Sequence, residues 1–329
     1  MAHEFWKGKN VFVTGADGFI GGWLAKGLID NGANVTVIVR DIKRRPNALD
    51  LHNMRDKVNI VIGDIKDYEV VSRVFNEHEI DTVFHLAAQA IVGTANRSPL
   101  STFESNIKGS WVIYEAARVT ETVKRVIVAS SDKAYGNQEK LPYTEDQSLN
   151  GLYPYDASKV CTDVLARCYY QSYGLPVVVT RNANTYGGAD LNMSRIVPDT
   201  AISAMQGKDL IIRSDGTLER DYMYIKDAVE AYLLLAENMH KKEIIGQAFN
   251  FGIGEPISVL DLFNKIIEIV GTDMKPKVMG KNKGEIVKQY LDCTKVRKLL
   301  NWEPKYSLEE GLTETIEWYR KYLKDKGEL

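Results

Sequence analysis

The chain has 329 residues, 44% of them apolar and 26% charged, and a formal net charge of -2. That length allows one large or two modest domains with a substantial core, and the near-neutral balance gives no reason to expect nucleic acid or an acidic membrane as a partner. No apolar run approaches the roughly 18 to 20 residues needed to span a bilayer, and the opening MAHEFWKGKN has no apolar signal core. The expected location is therefore the cytoplasm. Cys161, Cys168 and Cys293 make neither a metal spacing nor an even-numbered disulfide framework, so no metal is expected. Cys161 and Cys168 fall on one face of a helix and read as core packing. The basic cluster Lys43-Arg44-Arg45 reads as a solvated loop.

In chain order, six short β-branched runs alternate with longer helical patterns. The runs are Asn10–Thr14, Val35–Val39, Val58–Ile62, Thr82–Leu86, Arg125–Ala129 and Pro176–Thr180. Near-continuous apolar runs of this length suit parallel strands covered on both faces. Helical patterns over Gly18–Asn31, Leu100–Arg118 and Tyr155–Tyr173 lie between them. The alternation predicts an α/β fold, a Rossmann-type doubly wound parallel sheet. Past Arg181 the pattern loosens, with further helices expected at Asp227–Met239, Val259–Val270 and Leu308–Leu323. The expected organisation is a dinucleotide-binding domain over 1–180 and a smaller α/β substrate-binding lobe over 181–329, with segments around 225–252 returning to the first domain.

The first run passes directly into Gly15-Ala-Asp17-Gly18-Phe19-Ile20-Gly21 and then a helix. A glycine-rich turn in this strand–turn–helix setting lets the backbone approach a pyrophosphate, and the helix N-terminus supplies N–H groups and partial positive charge. At the end of the second run a carboxylate would bind the ribose hydroxyls of NAD, whereas an arginine would accommodate the 2′-phosphate of NADP. The chain offers both, Arg40 and Asp41. NAD is the expectation, with NADP open.

Tyr155-Asp-Ala-Ser-Lys159 starts a helix after Tyr153-Pro154, and a spacing of four puts phenol and amine on one face. An adjacent ammonium and a positive nicotinamide ring would favour the phenolate, so that Tyr155 could take a proton from a substrate hydroxyl as hydride leaves its carbon. The fifth run ends in Ser130-Ser131-Asp132-Lys133, at the carboxyl edge where ligands bind in such sheets. Ser131 is placed to hydrogen-bond the reacting hydroxyl. The adjacent acid and amine are more than a simple epimerase needs.

These motifs, with HLAAQAIV (85–92), TFESNIKG (102–109), NTYGGAD (184–190), RIVPD (195–199) and AYLLLAE (231–237), resemble the extended short-chain dehydrogenase/reductases. Within them the chain is similar to the nucleotide-sugar 4,6-dehydratases, and its Asp-Lys pair resembles that of the CDP-glucose enzymes. The resemblance implies that Asp64 lies beside the adenine ring, with Ile65 and Leu86-Ala87-Ala88 on the cofactor side. Asn184, Arg195 and Arg220 are candidates for gripping a diphosphate, with Arg213 a weaker one, since guanidinium forks and an amide suit phosphate oxygens. Gln89, just after the fourth run, is a candidate for touching the sugar. The resemblance implies the diphosphate role for Asn184 and Arg220 and implies that Asn106 buttresses the site. It further implies that Lys133 removes the carbon-5 proton and Asp132 protonates the leaving 6-hydroxyl, with Lys133 depressed in pKa by desolvation or cationic neighbours and Asp132 raised. The nicotinamide would stay bound through turnover, and the helices at Leu100–Arg118 and Tyr155–Tyr173 would form a homodimer interface. RSDGTLERDYMYIKDAVEAY (213–232) is shared in style with epimerases. A UDP-N-acetylglucosamine 4,6-dehydratase, a 4-epimerase and a non-catalytic nicotinamide sensor therefore remain alternative readings.

Overall fold

The computed structural model describes residues 4–41, 46–280 and 286–329, so the Lys43–Arg45 cluster lies outside the described residues. β1 (Asn10–Thr14) runs through the glycine turn into α1 (Phe19–Asp30), followed by β2 (Asn34–Val39), α2 (Ala48–Leu51), β3 (Asn59–Ile62), α3 (Tyr68–Glu77) and β4 (Thr82–His85). Then come α4 (Val92–Arg97), α5 (Pro99–Phe103), α6 (Gly109–Val119), β5 (Arg125–Ala129), α7 (Pro154–Tyr173) and β6 (Val177–Asn182). The remainder comprises β7 (Asn184–Tyr186), α8 (Ile196–Met205), β8 (Ile211–Ile212), β9 (Glu219–Arg220), β10 (Tyr222–Tyr224), α9 (Ile225–Glu237) and β11 (Ala248–Phe251). It ends with β12 (Ile257–Ser258), α10 (Val259–Val270), β13 (Lys277–Val278), β14 (Lys288–Gln289), α11 (Thr294–Leu300) and α12 (Leu308–Asp325).

Seven strands form one sheet in the order β11-β6-β5-β4-β1-β2-β3, every neighbouring pair parallel. The chain reverses its direction of winding between β1 and β4. That switch point opens a crevice outside the carboxyl ends of the strands, the usual ligand position in this architecture. β4 and β6 are buried at every position, because helices cover both faces and leave no solvent side for alternation. β11 joins the sheet beside β6 although it follows β7–β10 in sequence. The three-stranded sheet β12-β9-β14 stands apart from the main one.

Local chemistry fixes the ends of α7, the helix that carries the Tyr155 motif. Pro154 occupies its first turn, where a missing N–H costs nothing, and Gly174 closes it at φ 70°. The pattern over Leu100–Arg118 predicts one helix, but the structure divides it. A π-helical turn at Glu104–Lys108 separates α5 from α6 and turns Asn106 inward, 1% exposed. The cysteine expectation is corrected too. Cys293 is buried, but Cys161 is half-buried and Cys168 exposed, since both lie on the outer stripe of α7 with Val164, at spacings of three and four.

Arg181, at the end of β6, is 2% exposed and forms two hydrogen bonds with the fully buried Asp163 of α7, at 2.8 and 3.2 Å. It also donates to the Tyr135 hydroxyl at 2.8 Å. Removing one member of a buried ion pair strands the other charge. Asp163→Ala is expected to destabilise the fold by about 3–5 kcal/mol, read as a fall in the urea midpoint with the m-value unchanged.

Candidate active site

The crevice is a cavity of about 1700 Å³, running from the glycine turn past the ends of β2, β3, β4 and β5 to Arg213 and Arg220. That exceeds the 300 to 1,000 Å³ of an ordinary small-molecule pocket and suits two ligands bound end to end. At one end Gly15 has φ +74°, and a Cβ there would meet the Ala87 nitrogen at 2.9 Å. A Cβ on Gly21 would lie 2.2 Å from the Gly15 oxygen. Only glycine lets turn and helix pack this closely. No side chain caps α1, so its first-turn N–H groups are available to a phosphate. Gly21→Ala is expected to cost about 1–3 kcal/mol by overpacking, seen as a lower thermal midpoint, and to empty the cofactor site, seen as loss of bound nucleotide on purification.

Gly15, Asp17, Gly18, Phe19, Ile20 and Gly21, together with Arg40, Asp41, Asp64, Ile65 and the stretch Leu86–Ala88, all line this half of the cavity. They fit a dinucleotide. Arg40 is held by Asp41 through Nε and Nη2 at 3.0 and 2.9 Å, and that hydrogen bond raises its pKa, with Asp64 and Asp17 adding their field. Three carboxylates around one guanidinium disfavour an added 2′-phosphate and favour ribose hydroxyls.

The polar groups of the β5 and α7 ends meet in the middle of the cavity, where Ser131, Asp132, Lys133, Tyr155 and Lys159 all line the wall. The Ser131 hydroxyl donates to Asp132 Oδ1 at 2.9 Å and accepts from the Lys133 backbone N–H at 3.1 Å. It also hydrogen-bonds Tyr155. Asp132 is 2% exposed, and its Oδ2 has no protein partner among the described residues. Burial pushes its pKa up against the opposing pull of Lys133, the direction an acid working near neutrality requires. Lys133 Nζ donates to Gln289 Oε1 at 2.5 Å.

One electrostatic expectation changes. Burial, not a neighbouring ammonium, dominates Tyr155 and raises it to about 12, the Ser131 hydrogen bond only partly opposing this. Lys159 is itself desolvated and lowered to about 8, and its amine donates to the Ala129 carbonyl at 2.6 Å. Asp156 feels both Lys133 and Asp132, and burial raises it to about 6.

On the substrate side, Gln89, Asn184, Arg195, Arg213 and Arg220 line the cavity. Arg195 pairs with Asp190 at 2.8 Å, and the largely buried Arg220 donates to the carbonyls of Glu219 and Val287. Asn106 does not line it. Its Oδ1 accepts from the Gln89 N–H at 2.6 Å, and its Nδ2 donates to Ser158 Oγ at 2.9 Å, so it braces the wall from behind instead of touching a ligand. Asp156 and Gln289 were missed from sequence. The first sits between Tyr155 and Lys159 of YDASK, where the spacing asks for no particular residue, and the second arrives from 156 residues away with no motif around it.

The family model described as GDP-mannose 4,6 dehydratase matches residues 12–315. The chain belongs to this family. It is 28% identical to the CDP-glucose 4,6-dehydratase of Salmonella typhimurium, over 99% of this chain and 94% of that one. It is 30% identical to dTDP-glucose 4,6-dehydratase 1 of Escherichia coli K12, over 94% and 92%. Among solved structures it resembles the UDP-glucose 4-epimerase of Thermotoga maritima at 35% identity and TM-score 0.87, covering 95% of this chain and 99% of that one. It also resembles the dTDP-glucose 4,6-dehydratase of Bacillus anthracis in complex with NAD, at 25% identity and TM-score 0.84, covering 96% and 98%. Among the described residues no helix is long and apolar enough to cross a membrane.

Proposed function

We propose that the protein is an NAD-dependent nucleotide-sugar 4,6-dehydratase, a lyase that converts a nucleoside-diphosphate hexose to its 4-keto-6-deoxy form with loss of water, and that CDP-glucose is its substrate. One observation carries the dehydratase reading: Asp132 and Lys133 line the same cavity as Tyr155 and Lys159, with the acid buried and raised in pKa. A 4-epimerase, the reading favoured by the Thermotoga maritima structure, has no use for that pair. Choosing CDP-glucose over UDP-N-acetylglucosamine or another nucleotide sugar rests on the Asp-Lys pair and the Salmonella typhimurium relative.

The glycine turn, Asp41 and Asp64 hold the dinucleotide, and Arg195, Arg220 and Asn184 hold the substrate diphosphate, as guanidinium forks and an amide suit phosphate oxygens. NAD held there would supply the hydride acceptor and donor for the sugar, and the positive charge of its oxidised ring would favour the Tyr155 phenolate. Tyr155 takes the proton of the 4-hydroxyl while Ser131 hydrogen-bonds the same oxygen. The resulting ketone acidifies the carbon-5 hydrogen, which the neutral Lys133 amine removes. Asp132, as the carboxylic acid, gives its proton to the departing 6-hydroxyl, which leaves as water. Lys133 then returns its proton to carbon 5. The reading divides the chain into a cofactor half, 1–180 with 225–252, and a substrate half made of the rest of 181–329.

Incubation with CDP-, UDP-, GDP- and dTDP-sugars, followed by mass, tests the function. Loss of one water from the CDP-glucose sample is expected. Unchanged mass with a new epimer marks the 4-epimerase, and no turnover with any donor refutes both.

The same reading includes a homodimer built on α5, α6 and α7, supported by exposed apolar side chains there: Leu100 at 74%, Trp111 at 43% and Val164 at 47%. Apolar residues in one exposed patch mark association surfaces. Trp111→Asp combined with Val164→Asp is expected to halve the sedimenting mass, a change that analytical ultracentrifugation resolves.

A further inference from the structure

Gln289 lies on β14, in the small sheet that stands apart from the Rossmann strands. It is fully buried. Its Oε1 accepts a hydrogen bond from Lys133 Nζ at 2.5 Å, yet its Nε2, equally buried, has no protein partner among the described residues. The amide presents its oxygen to the lysine, the partner that a donor-only ammonium requires, and its own N–H groups are left unmatched. A buried amide left half-satisfied is a cost to the fold. The backbone of Gln289 is equally tied down. It pairs in register with Arg220 of β9, and its carbonyl accepts from the Asp221 N–H at 3.2 Å.

We propose that Gln289 is a positioning residue for the dehydration step, holding the Lys133 amine toward sugar carbon 5 and fixing it relative to Arg220, the diphosphate grip one strand away. This rests on the reading of Lys133 as the base. The chemistry of an amide suits the task. A glutamate at the same place would orient the amine equally well but would hold a proton on it, since a carboxylate a few ångströms away favours the charged form. Among the groups facing Lys133 are Asp132 on its own turn and Asp156 on α7, with Arg220 on β9 acting on Asp132. Asp132, when it holds its proton, adds no negative charge there. A neutral amide as a further contact lets the amine give up its own. The link also explains why a base on the Rossmann side meets its substrate correctly. β14 carries Lys133's partner, and the adjacent strand carries the phosphate-binding arginine.

The test compares Gln289→Glu, Gln289→Met and Lys133→Ala with the parent protein carrying its bound cofactor, using CDP-glucose. Thermal midpoints confirm folding, and either Gln289 variant decides alone if the other is not recovered folded. Readouts are kcat and KM for water loss against pH, single-turnover cofactor reduction, and solvent deuterium entering carbon 5. For Gln289→Glu the acid limb of kcat is expected to move up by about one pH unit or more, with KM within about twofold of the parent. For Gln289→Met, kcat is expected to fall about tenfold to a hundredfold through misplacement of the amine, and deuterium entry slows in parallel while cofactor reduction keeps its rate. Should the Gln289→Glu profile superimpose on the parent's, or should the Gln289→Met variant slow cofactor reduction as much as water loss, the positioning role is wrong. Lys133→Ala separates the two levels. If it sheds water at the parental rate, the base assignment itself has failed; if it does not while both Gln289 variants behave as the parent, only the Gln289 inference has.

Discussion

Replacing Lys133 with alanine is expected to stop water loss while sparing the oxidation that precedes it. The amine is the group proposed to remove the carbon-5 proton, and a positioned general base contributes about 10² to 10⁴ in rate. Tyr155, Ser131 and Lys159 do not depend on the Lys133 side chain: the Ser131 hydroxyl meets the backbone N–H of residue 133, which alanine retains. Rapid mixing with CDP-glucose should therefore show cofactor reduction near the parental rate, followed by accumulation of reduced cofactor in place of dehydrated product. Asp132→Asn should give the same division, because an amide preserves the volume in this buried position but cannot deliver a proton to the 6-hydroxyl. If either variant loses oxidation and water loss to the same degree, the acid–amine pair is acting on the structure of the site and not on the second half of the reaction.

Tyr155→Phe is expected to abolish both halves, with about 10² to 10⁴ lost from the first step. Binding of the nucleotide sugar should change little, since Arg195, Arg220 and Asn184 lie elsewhere along the cavity. The direction with pH follows from burial. With its pKa raised to about 12, the phenol holds its proton at neutral pH unless a bound positive charge opposes that burial. Single-turnover oxidation in the parent should therefore rise with pH as the phenolate fraction grows, and the Phe variant should lose that rise along with its rate. Calorimetry measures the binding, and stopped-flow absorbance the step. A variant that binds normally and still oxidises at the parental rate removes Tyr155 from the mechanism.

What the sequence disclosed and what it withheld divide along a physical line. β1 and β5 occupy the residues their apolar runs predict, and β2, β3, β4 and β6 begin or end within one or two residues of them, because a parallel strand buried on both faces writes its burial into consecutive side chains. The glycine turn was legible because a positive φ and a Cβ clash leave few other residues possible. β11 joins the sheet beside β6 from far along the chain. By contrast, the π-helical turn at Glu104–Lys108 is a single-turn change of hydrogen bonding inside a longer helical pattern, too short for periodicity to register. The stripe of α7 holding Cys161, Val164 and Cys168 looks like core until the covering neighbours are seen to be missing from the chain itself. Asp156 and Gln289 acquire meaning only from what the fold brings near them. The rise of Tyr155 is of the same kind, since a spacing of four reveals a neighbouring amine but not how much water has been removed from the phenol.

The central claim is that one hydride leaves carbon 4 and returns to carbon 6 within a single enclosed site. CDP-glucose carrying deuterium at carbon 4 tests it most directly. The account predicts that the dehydrated product bears that deuterium in its new 6-methyl group, with none diluted by unlabelled substrate in the same mixture. Deuterium retained at carbon 4 of an unchanged-mass epimer, or released to solvent or to added free cofactor, would contradict it.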